Sequence, residues 1–365
     1  MGIAESLVGY ELPGRSKNKW SVLERLSKEQ EERSGFFYSV GYRVKSDDGR
    51  EAFLKVTDLD LLTDEAHSLL ERTSAAIQAH TFERKILEHC KGNNMDRVVV
   101  AVDFGDTVIT HTHGREPIFY LIFELAECDV RVQVDRQNRF DLAWTLSALH
   151  DLAVAIQQLH KGDVSHNDIK PANFLVFKSL DLHDRKQKLA DLGSATSPLI
   201  PSIRDDAICA GDPRYAAPEV LYANKSDARL CNFESRRALD IYHLGSMVFF
   251  LVTGRMLTPE IIRRLVPEQR PPNSDDDWRG NFQDILPYWR ESFGRVLAEF
   301  KAVLPADKNG ALTQTGAALL DCVVQLGEPD PNLRGHPLNR VGQADRLSVQ
   351  QYISLFDILR RRALH

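Results

Sequence analysis

The sequence contains little cysteine and no segment with the pattern of a membrane span. Five cysteines are scattered through 365 residues, and none forms a C-x-x-C pair. A disulfide scaffold and a structural zinc site are therefore not expected, and this usage is typical of the reducing cytoplasm. No apolar run approaches the ~20 residues that a membrane-spanning helix needs, and the first residues lack the basic start of a secretory signal. We therefore expect a soluble cytoplasmic protein without a membrane partner.

An excess of basic charge is also absent. Lys and Arg number 46 against 52 Asp and Glu, which gives a formal net charge of −6. Proteins that bind nucleic acid through its phosphates usually carry a strong basic excess, so no nucleic-acid partner is expected. The composition is otherwise ordinary for a globular protein, with 43% hydrophobic and 27% charged residues. The length suits one large domain or two lobes, and the composition leaves the oligomeric state open.

The patterns that are present change along the chain. Residues 1–19 are polar and become basic towards their end, which predicts a lead-in segment. Short apolar runs typical of strands follow over 20–129, and Asp48-Gly49 between two of them predicts a hairpin turn. A stretch with helical spacing, roughly 63–91, interrupts these strands. Helices dominate from Phe140 onward, so we predict an α+β fold in which a small strand-rich part precedes a larger helical part.

The segment HNDIKPANFLV carries the residues that point most directly to chemistry. It supplies Asp168, then Lys170, then Asn173 in one short loop. Further on, an apolar run ends at Asp191, and Gly193 beyond it allows the close backbone approach that a metal site needs. A carboxylate can deprotonate a hydroxyl, a lysine can offset phosphoryl charge, and amide and carboxylate oxygens are good ligands for Mg²⁺. The set therefore favours phosphoryl transfer.

Five motifs resemble those of the protein kinase family and occur in the family's order. HNDIKPAN resembles the catalytic loop HRDLKPxN, DLG resembles the metal motif DFG, and GDPRYAAPE resembles the end of an activation segment, GTPxYxAPE. LDIYHLG resembles the buried helix whose aspartate, here Asp240, steadies the catalytic loop, and DPNLR resembles DPxxR. The chain is thus identified as a divergent member of the eukaryotic-like Ser/Thr protein kinases, with one kinase domain over about 20–362.

The resemblance implies a two-lobed protein-kinase-like fold with an N-lobe over 20–126 and a C-lobe over 127–365. ATP and Mg²⁺ would bind between the lobes, and the γ-phosphoryl group would pass to Ser or Thr hydroxyls of protein substrates, with autophosphorylation included. In the family's pattern Asp168 and Lys170 are catalytic, while Asn173 and Asp191 bind the metal. Lys170, two residues after Asp168, favours Ser/Thr over Tyr as the acceptor.

The same resemblance assigns ATP contacts in the strand-rich part. Lys55 in AFLKV corresponds to the lysine that positions the α- and β-phosphates. Its acidic partner on the following helix is Glu83, with Glu88 as the alternative register. Backbone groups of Glu124 and Ala126, just after the strand PIFYLIF, are expected to bond adenine.

The phosphate-covering loop is the weakest part of the match. Family spacing places its valine at Val40, and the eight residues RSGFFYSV that end there keep only Gly35 of the three glycines in GxGxxGxV. Gly35 and Val40 are the expected ATP contacts in this loop. Because the outer glycines are lost, the turn is stiffer and the backbone has less room to approach phosphates, so we expect lower nucleotide affinity or rate.

Two departures concern the catalytic loop and the activation segment. Asn167 stands where many kinases have the arginine that binds a phosphorylated activation loop, so phosphorylation is not the expected on-switch. Asp212 stands where Ser/Thr kinases have a threonine that bonds the catalytic Asp and Lys. It could accept a hydrogen bond from Lys170, but a second carboxylate near Asp168 should add repulsion or raise a pKa.

Other motif residues are expected to be structural. Arg334 of DPNLR should pair with Glu219 of the APE triplet, with Arg346 as a second candidate for that partner. His166 is assigned a scaffolding role and not that of a general base.

Two other functions fit parts of the pattern. A pseudokinase, which would use the fold as a nucleotide-binding or allosteric scaffold, is suggested by the degenerate phosphate loop and by Asp212. A small-molecule phosphotransferase of related fold fits less well, because such enzymes usually lack the Lys-Pro pair after the catalytic Asp and the APE segment.

Overall fold

The computed structural model describes residues 3–26, 39–58, 69–111, 114–137, 140–178, 186–202, 204–209, 211–223, 228–272, 280–341 and 345–363. The contacts among these residues separate two units. The first contains the described residues of Met1–Asp129, Leu175–Gly193 and Ile200–Ile203. The second contains those of Val130–Phe174, Ser194–Leu199 and Arg204–His365.

The first unit is built on an antiparallel sheet. Its strands, among the described residues, are β1 (Glu11–Pro13), β2 (Lys19–Arg25), β3 (Ser39–Ser46), β4 (Glu51–Thr57), β5 (Ala101–His111) and β6 (Gly114–Glu124). Their spatial order is β1-β2-β3-β4-β6-β5. One face of the sheet is covered by an apolar core to which every one of these strands contributes.

The hairpin between β3 and β4 shows why this sequence forms strands. Gly49 has φ +89°, the left-handed conformation that a tight turn needs and that glycine adopts without strain, so the predicted turn is confirmed. Alternate residues of β4 then point to opposite faces. Ala52, Leu54 and Val56 are fully buried in the apolar core, and Lys55 consequently lies on the other face.

The predicted lead-in differs in the structure, because it belongs to the sheet. Ile3, Leu7 and Leu12 are buried in the same apolar core, and β1 pairs with β2. The backbone N–H of Arg15 also donates to the carbonyl of Phe104 on β5, so the segment meets the last strand of the sheet as well as the first. The sequence did not predict a strand here, because the segment is polar and basic and its few buried residues are widely spaced.

A single long helix and a small second sheet complete the first unit among its described residues. The helix α1 (Leu69–Gly92) lies against β5 and β6 and buries Ala76, Ile86 and Cys90. It covers residues 69–91 of the stretch predicted to be helical, 63–91, and the first residues of that stretch lie outside the described part. The second sheet contains β7 (Cys128–Asp129), β8 (Phe174–Val176) and β9 (Gln187–Leu189), in that order.

The regular secondary structure of the second unit, among its described residues, is mainly α-helical. Its helices are α2 (Val130–Arg136), α3 (Leu142–Lys161), α4 (Pro218–Leu221), α5 (Phe233–Thr253), α6 (Leu257–Ile262), α7 (Phe282–Val303), α8 (Gln314–Leu326) and α9 (Gln350–Ala363). The helix α5 is buried on nearly every side, and it contacts α3, α7 and α8. None of the helices in the described part of the chain has both the length and the apolar character needed to cross a membrane. Strands in one unit and helices in the other confirm the predicted α+β fold.

Candidate active site

In the first unit, Lys55 lies between two carboxylates. Its Nζ is 2.8 Å from Oε1 of Glu83 on α1 and 2.8 Å from Oδ1 of Asp191. The predicted register is therefore confirmed, and Glu88 instead lies 4.0 Å from Arg84 at the helix surface. Burial lowers the pKa of Lys55, but the charges of Asp191 and Glu83 outweigh burial and raise it above its usual range. The ammonium group stays charged at neutral pH.

The backbone around Asp191 is shaped for this contact. Asp191 has φ +66°, a left-handed conformation that aspartate tolerates better than most residues. Leu192 is fully buried, so its apolar side chain fills the position next to the aspartate. A Cβ on Gly193 would lie 3.3 Å from Asp191 Oδ1, and glycine therefore leaves the carboxylate room.

The remaining residues predicted to contact ATP in this unit lie in different places. Glu124 ends β6, with its side chain accepting from Lys188 at 2.8 Å, and Ala126 follows in the connecting segment. Val40 pairs with Val56 and is buried in the apolar core, on the sheet face opposite Lys55, so its placement as an ATP contact is wrong. Successive side chains of a strand lie on opposite faces, so a spacing argument places a residue on the correct face only if its register is correct to the residue. Gly35 lies outside the described residues.

In the second unit, the loop after α3 brings the predicted catalytic residues together. Lys170 Nζ is 2.9 Å from Asp168 Oδ2, and Asn173 Nδ2 donates to the same oxygen at 3.0 Å and to the Asp168 carbonyl at 2.9 Å. Pro171 starts the short 3-10 turn that carries Asn173 back towards Asp168. All three functional side chains are buried, which strengthens their electrostatic interactions.

Asp240 on α5 holds this loop through hydrogen bonds to three of its residues. Its Oδ1 accepts from the N–H of Asn167 at 2.8 Å, and its Oδ2 accepts from the N–H of His166 at 2.9 Å and from Ser165 Oγ at 2.8 Å. Burial raises the pKa of this carboxyl, but the hydrogen bond and charge of His160 outweigh burial and lower it to about 2. A charged, fully bonded Asp240 thus fixes the backbone that leads into the predicted catalytic residues.

His166 and Asn167 both act on the geometry of the loop. His166 Nδ1 accepts from the N–H of Asp168 at 3.2 Å, which is the scaffolding role predicted for it. Asn167 has φ +64°, and its Nδ2 donates to the carbonyl of Ser194 at 3.0 Å and to Thr196 Oγ1 at 3.1 Å. The asparagine therefore ties the loop to the segment that follows the DLG motif, a role that the sequence did not reveal.

Asp212 differs from the expectation. Its N–H donates to Asp168 Oδ1 at 2.9 Å, while its own carboxylate is held by Arg214, whose Nη2 lies 2.7 Å from Oδ2. Burial raises the pKa of Asp212, but the hydrogen bonds from Arg214 outweigh it and the pKa is lowered. Of the two expected effects, added repulsion or a raised pKa, a raised pKa is not found at Asp212, because the sequence reasoning overlooked Arg214. The only available signal was its position two residues after an aspartate in the same turn.

The expected structural pair at the end of the activation segment is confirmed. Arg334 Nη1 and Nη2 donate to Glu219 Oε1 and Oε2 at 2.6 and 2.9 Å, and both side chains are buried. Arg346, the alternative partner, instead binds Glu234 at 2.9 Å.

Comparison with known proteins agrees with the kinase motifs that contain Lys55 and Asp168. The protein kinase domain family matches residues 37–276. Serine/threonine-protein kinase PKZ1 of Phytophthora infestans is 22% identical over 364 residues, covering 93% of this chain and 81% of that protein. Serine/threonine-protein kinases ATG1c and ATG1b of Arabidopsis thaliana are 34% and 38% identical over 127 residues, covering 35% of this chain and 16% of each of those proteins. This chain belongs to the protein kinase family, as the motifs predict.

Proposed function

We propose that this protein kinase transfers the γ-phosphoryl group of ATP to serine and threonine hydroxyls of protein substrates, its own chain included. The observation that carries the proposal is the buried contact of Asp168 with both Lys170, at 2.9 Å, and Asn173. Lys170 in this position favours a serine or threonine acceptor over tyrosine by the family's pattern. The relatives named as serine/threonine kinases support the same specificity.

Each side chain has a distinct task in the proposed reaction. Asp168 orients the acceptor hydroxyl and takes its proton as the bond to phosphorus forms. Lys170 offsets the charge of the transferring phosphoryl group. Lys55, held by Glu83, positions the α- and β-phosphates.

The oxygen donors present fit Mg²⁺. Asn173 turns its amide NH₂ group to Asp168, which leaves its amide oxygen as the atom to bind a cation. In the other unit, Asp191 offers a carboxylate, and amide and carboxylate oxygens are the hard ligands that Mg²⁺ prefers. When bound, Mg²⁺ would neutralise phosphate charge during transfer.

Backbone groups of Glu124 and Ala126 are the proposed adenine contacts. The proposed compartment is the cytoplasm, because the few scattered cysteines are typical of a reducing environment.

The test uses radiolabelled Mg·ATP and three peptide pools whose sole hydroxyl residue is Ser, Thr or Tyr. The wild-type protein should label the Ser and Thr pools. Asp168→Asn keeps the size of the side chain but removes the base, so the rate should fall at least about 100-fold. Nucleotide binding, measured as the shift in melting temperature on adding ATP, should persist. Asp357→Asn, on the surface of α9 next to Arg360, is the matched control that should keep full activity.

The outcomes separate the alternatives. Stabilisation by ATP without label on any peptide or on the protein itself would replace the proposal by a pseudokinase scaffold. Label found on small hydroxyl compounds but not on the peptides would identify a small-molecule phosphotransferase. Full activity in Asp168→Asn would refute the assigned role of Asp168.

A further inference from the structure

Two buried carboxylates share one lysine beside the catalytic loop. Lys170 Nζ lies 2.9 Å from Asp168 Oδ2 and 3.8 Å from Asp212 Oδ2. The three side chains are 4%, 9% and 3% exposed, so water screens their charges poorly. A second negative charge in such a place competes for the lysine and repels the first carboxylate. The arrangement therefore needs another positive group to compensate Asp212.

Arg214 supplies that group. Its Nε lies 3.0 Å from Asp212 Oδ1 and 3.2 Å from Oδ2, and its Nη2 lies 2.7 Å from Oδ2. The backbone N–H of Arg214 donates to Oδ1 at 3.0 Å as well. A planar guanidinium fork that binds both oxygens of a carboxylate is among the strongest pairings available to side chains.

The turn that contains Asp212 also touches the catalytic carboxylate. The N–H of Asp212 donates to Asp168 Oδ1 at 2.9 Å, while Lys170 and Asn173 hold the other oxygen. The same turn closes with the N–H of Tyr215 donating to the carbonyl of Asp212 at 3.0 Å. Whatever holds the side chain of Asp212 therefore also fixes one of the hydrogen bonds that orient Asp168.

We propose that Arg214 is a positioning residue for phosphoryl transfer, acting only through Asp212. By binding the Asp212 carboxylate it leaves Lys170 on Asp168 and keeps the Asp212 N–H on the other oxygen of Asp168. The Asp212–Arg214 pair thereby takes the place of the threonine in the motif that the sequence resembles. This inference rests on the proposed kinase function, and it has a sharp corollary: Arg214 is required only while residue 212 is an aspartate.

The test is a double-mutant cycle of wild type, Arg214→Ala, Asp212→Thr and the combined variant. For each protein kcat and the KM values for ATP and peptide are measured, and melting temperature confirms folding. Arg214→Ala should lower kcat about 10- to 100-fold, the range expected when a buried charge loses its charged hydrogen bonds. The KM for ATP should change little. The combined variant should match Asp212→Thr alone, because the arginine then has no carboxylate to compensate.

Further variants keep the result interpretable. Asp212→Asn, combined with Arg214→Ala, repeats the rescue with a neutral side chain of nearly the same size, in case the threonine variant folds poorly. Arg214→Lys keeps the charge but loses the fork, so its kcat should lie between those of wild type and Arg214→Ala. Arg295→Ala removes an exposed arginine that pairs with Glu291 on α7, and it should leave kcat unchanged.

Two outcomes would overturn the inference. If Arg214→Ala lowers kcat by the same factor in the wild-type protein and in the Asp212→Thr variant, Arg214 acts on the substrate directly and not through Asp212. If Arg214→Ala keeps wild-type kcat, the arginine has no positioning role. A wild-type protein that labels neither peptides nor itself would instead refute the proposed function, and the inference would fall with it.

Discussion

Of the single changes in the buried Arg334–Glu219 ion pair, replacing Arg334 by methionine should be the most destabilising. Arg334 Nη1 and Nη2 bind the carboxylate of Glu219. The same two nitrogens also donate to the carbonyls of Ala238 and Pro329, and Nε donates to that of Glu328. Methionine fills part of the volume but leaves Glu219, 6% exposed, as an uncompensated buried charge. Breaking a buried pair in this way costs about 3–5 kcal/mol. Carbonyls left without donors add about 1 kcal/mol or more each.

The loss is large compared with the ~5–15 kcal/mol by which most domains are stable. It is measured by urea unfolding of the purified kinase, followed by tryptophan fluorescence at neutral pH. Glu219→Gln is the milder probe, because the guanidinium of Arg334 loses its counter-ion but keeps its hydrogen bonds to three backbone carbonyls and can still donate to the amide oxygen of the glutamine. If Arg334→Met does not fold, this variant still tests the pair, with an expected loss of about 1–3 kcal/mol.

Two comparisons decide whether the reasoning is right. The double variant Glu219→Gln, Arg334→Met should be more stable than Arg334→Met alone, because the bare charge is gone. Arg346→Met removes an arginine whose partner Glu234 is mostly exposed, and it should cost less than about 1 kcal/mol through loss of that pair. A loss below about 1 kcal/mol for Arg334→Met, or a double variant less stable than the single one, would refute the argument from buried charge.

Two further predictions concern a close contact and a titrating group. Gly211→Ala should slow phosphoryl transfer about 100-fold, because its Cβ would lie 2.4 Å from Asn167 O and must displace the catalytic loop. Gly294→Ala, with open space around the added Cβ, is the control and should keep the wild-type rate. A Gly211→Ala variant as fast as the wild-type protein would contradict the prediction. Burial lowers the pKa of His243 from 6.5 to about 4, so its contribution to stability is present above pH 6.5 and is lost as the pH falls towards 4. The free energy of unfolding of His243→Leu should therefore depend less on pH over this range than that of the wild-type protein, by up to about 1.4 kcal/mol per pH unit. His80, whose pKa is also lowered, accounts for part of the slope that remains. An unchanged slope would contradict a neutral buried imidazole at His243.

The cluster of Asp168, Lys170 and Asn173 was predictable because its members are neighbours in sequence. Asp168, Lys170 and Asn173 lie on one short loop, so their spacing alone brings them within reach of one another. The contact of Lys55 with Glu83 depends on a strand and a helix, and there the family's register supplied what local pattern could not.

The features that sequence reasoning missed depend on side-chain direction. Spacing alone did not predict the face of β3 on which Val40 lies, which is the face of the apolar core and not that of Lys55. Arg214 and Asn167 look like ordinary polar residues of loops. The partner of Arg214 lies two residues away in the same turn, whereas the partners of Asn167 are determined by how two loops pack. Arg236 on α5 is fully buried and donates to the carbonyl of Ile208, yet nothing in the pattern of α5 distinguishes it from its exposed-looking neighbours.

The start of the folded sheet has a practical consequence for anyone preparing this kinase. The family match begins at residue 37, but β1, β2 and the buried side chains of Ile3, Leu7, Leu12 and Trp20 all precede it. Burial of four such side chains contributes roughly 6–12 kcal/mol, about as much as the whole stability of a typical domain. A shortened protein trimmed to the family match would expose the apolar face of β3 and β4 to solvent and invite aggregation. Inactivity of such a fragment would reflect a ruptured sheet, whatever the catalytic loop can do.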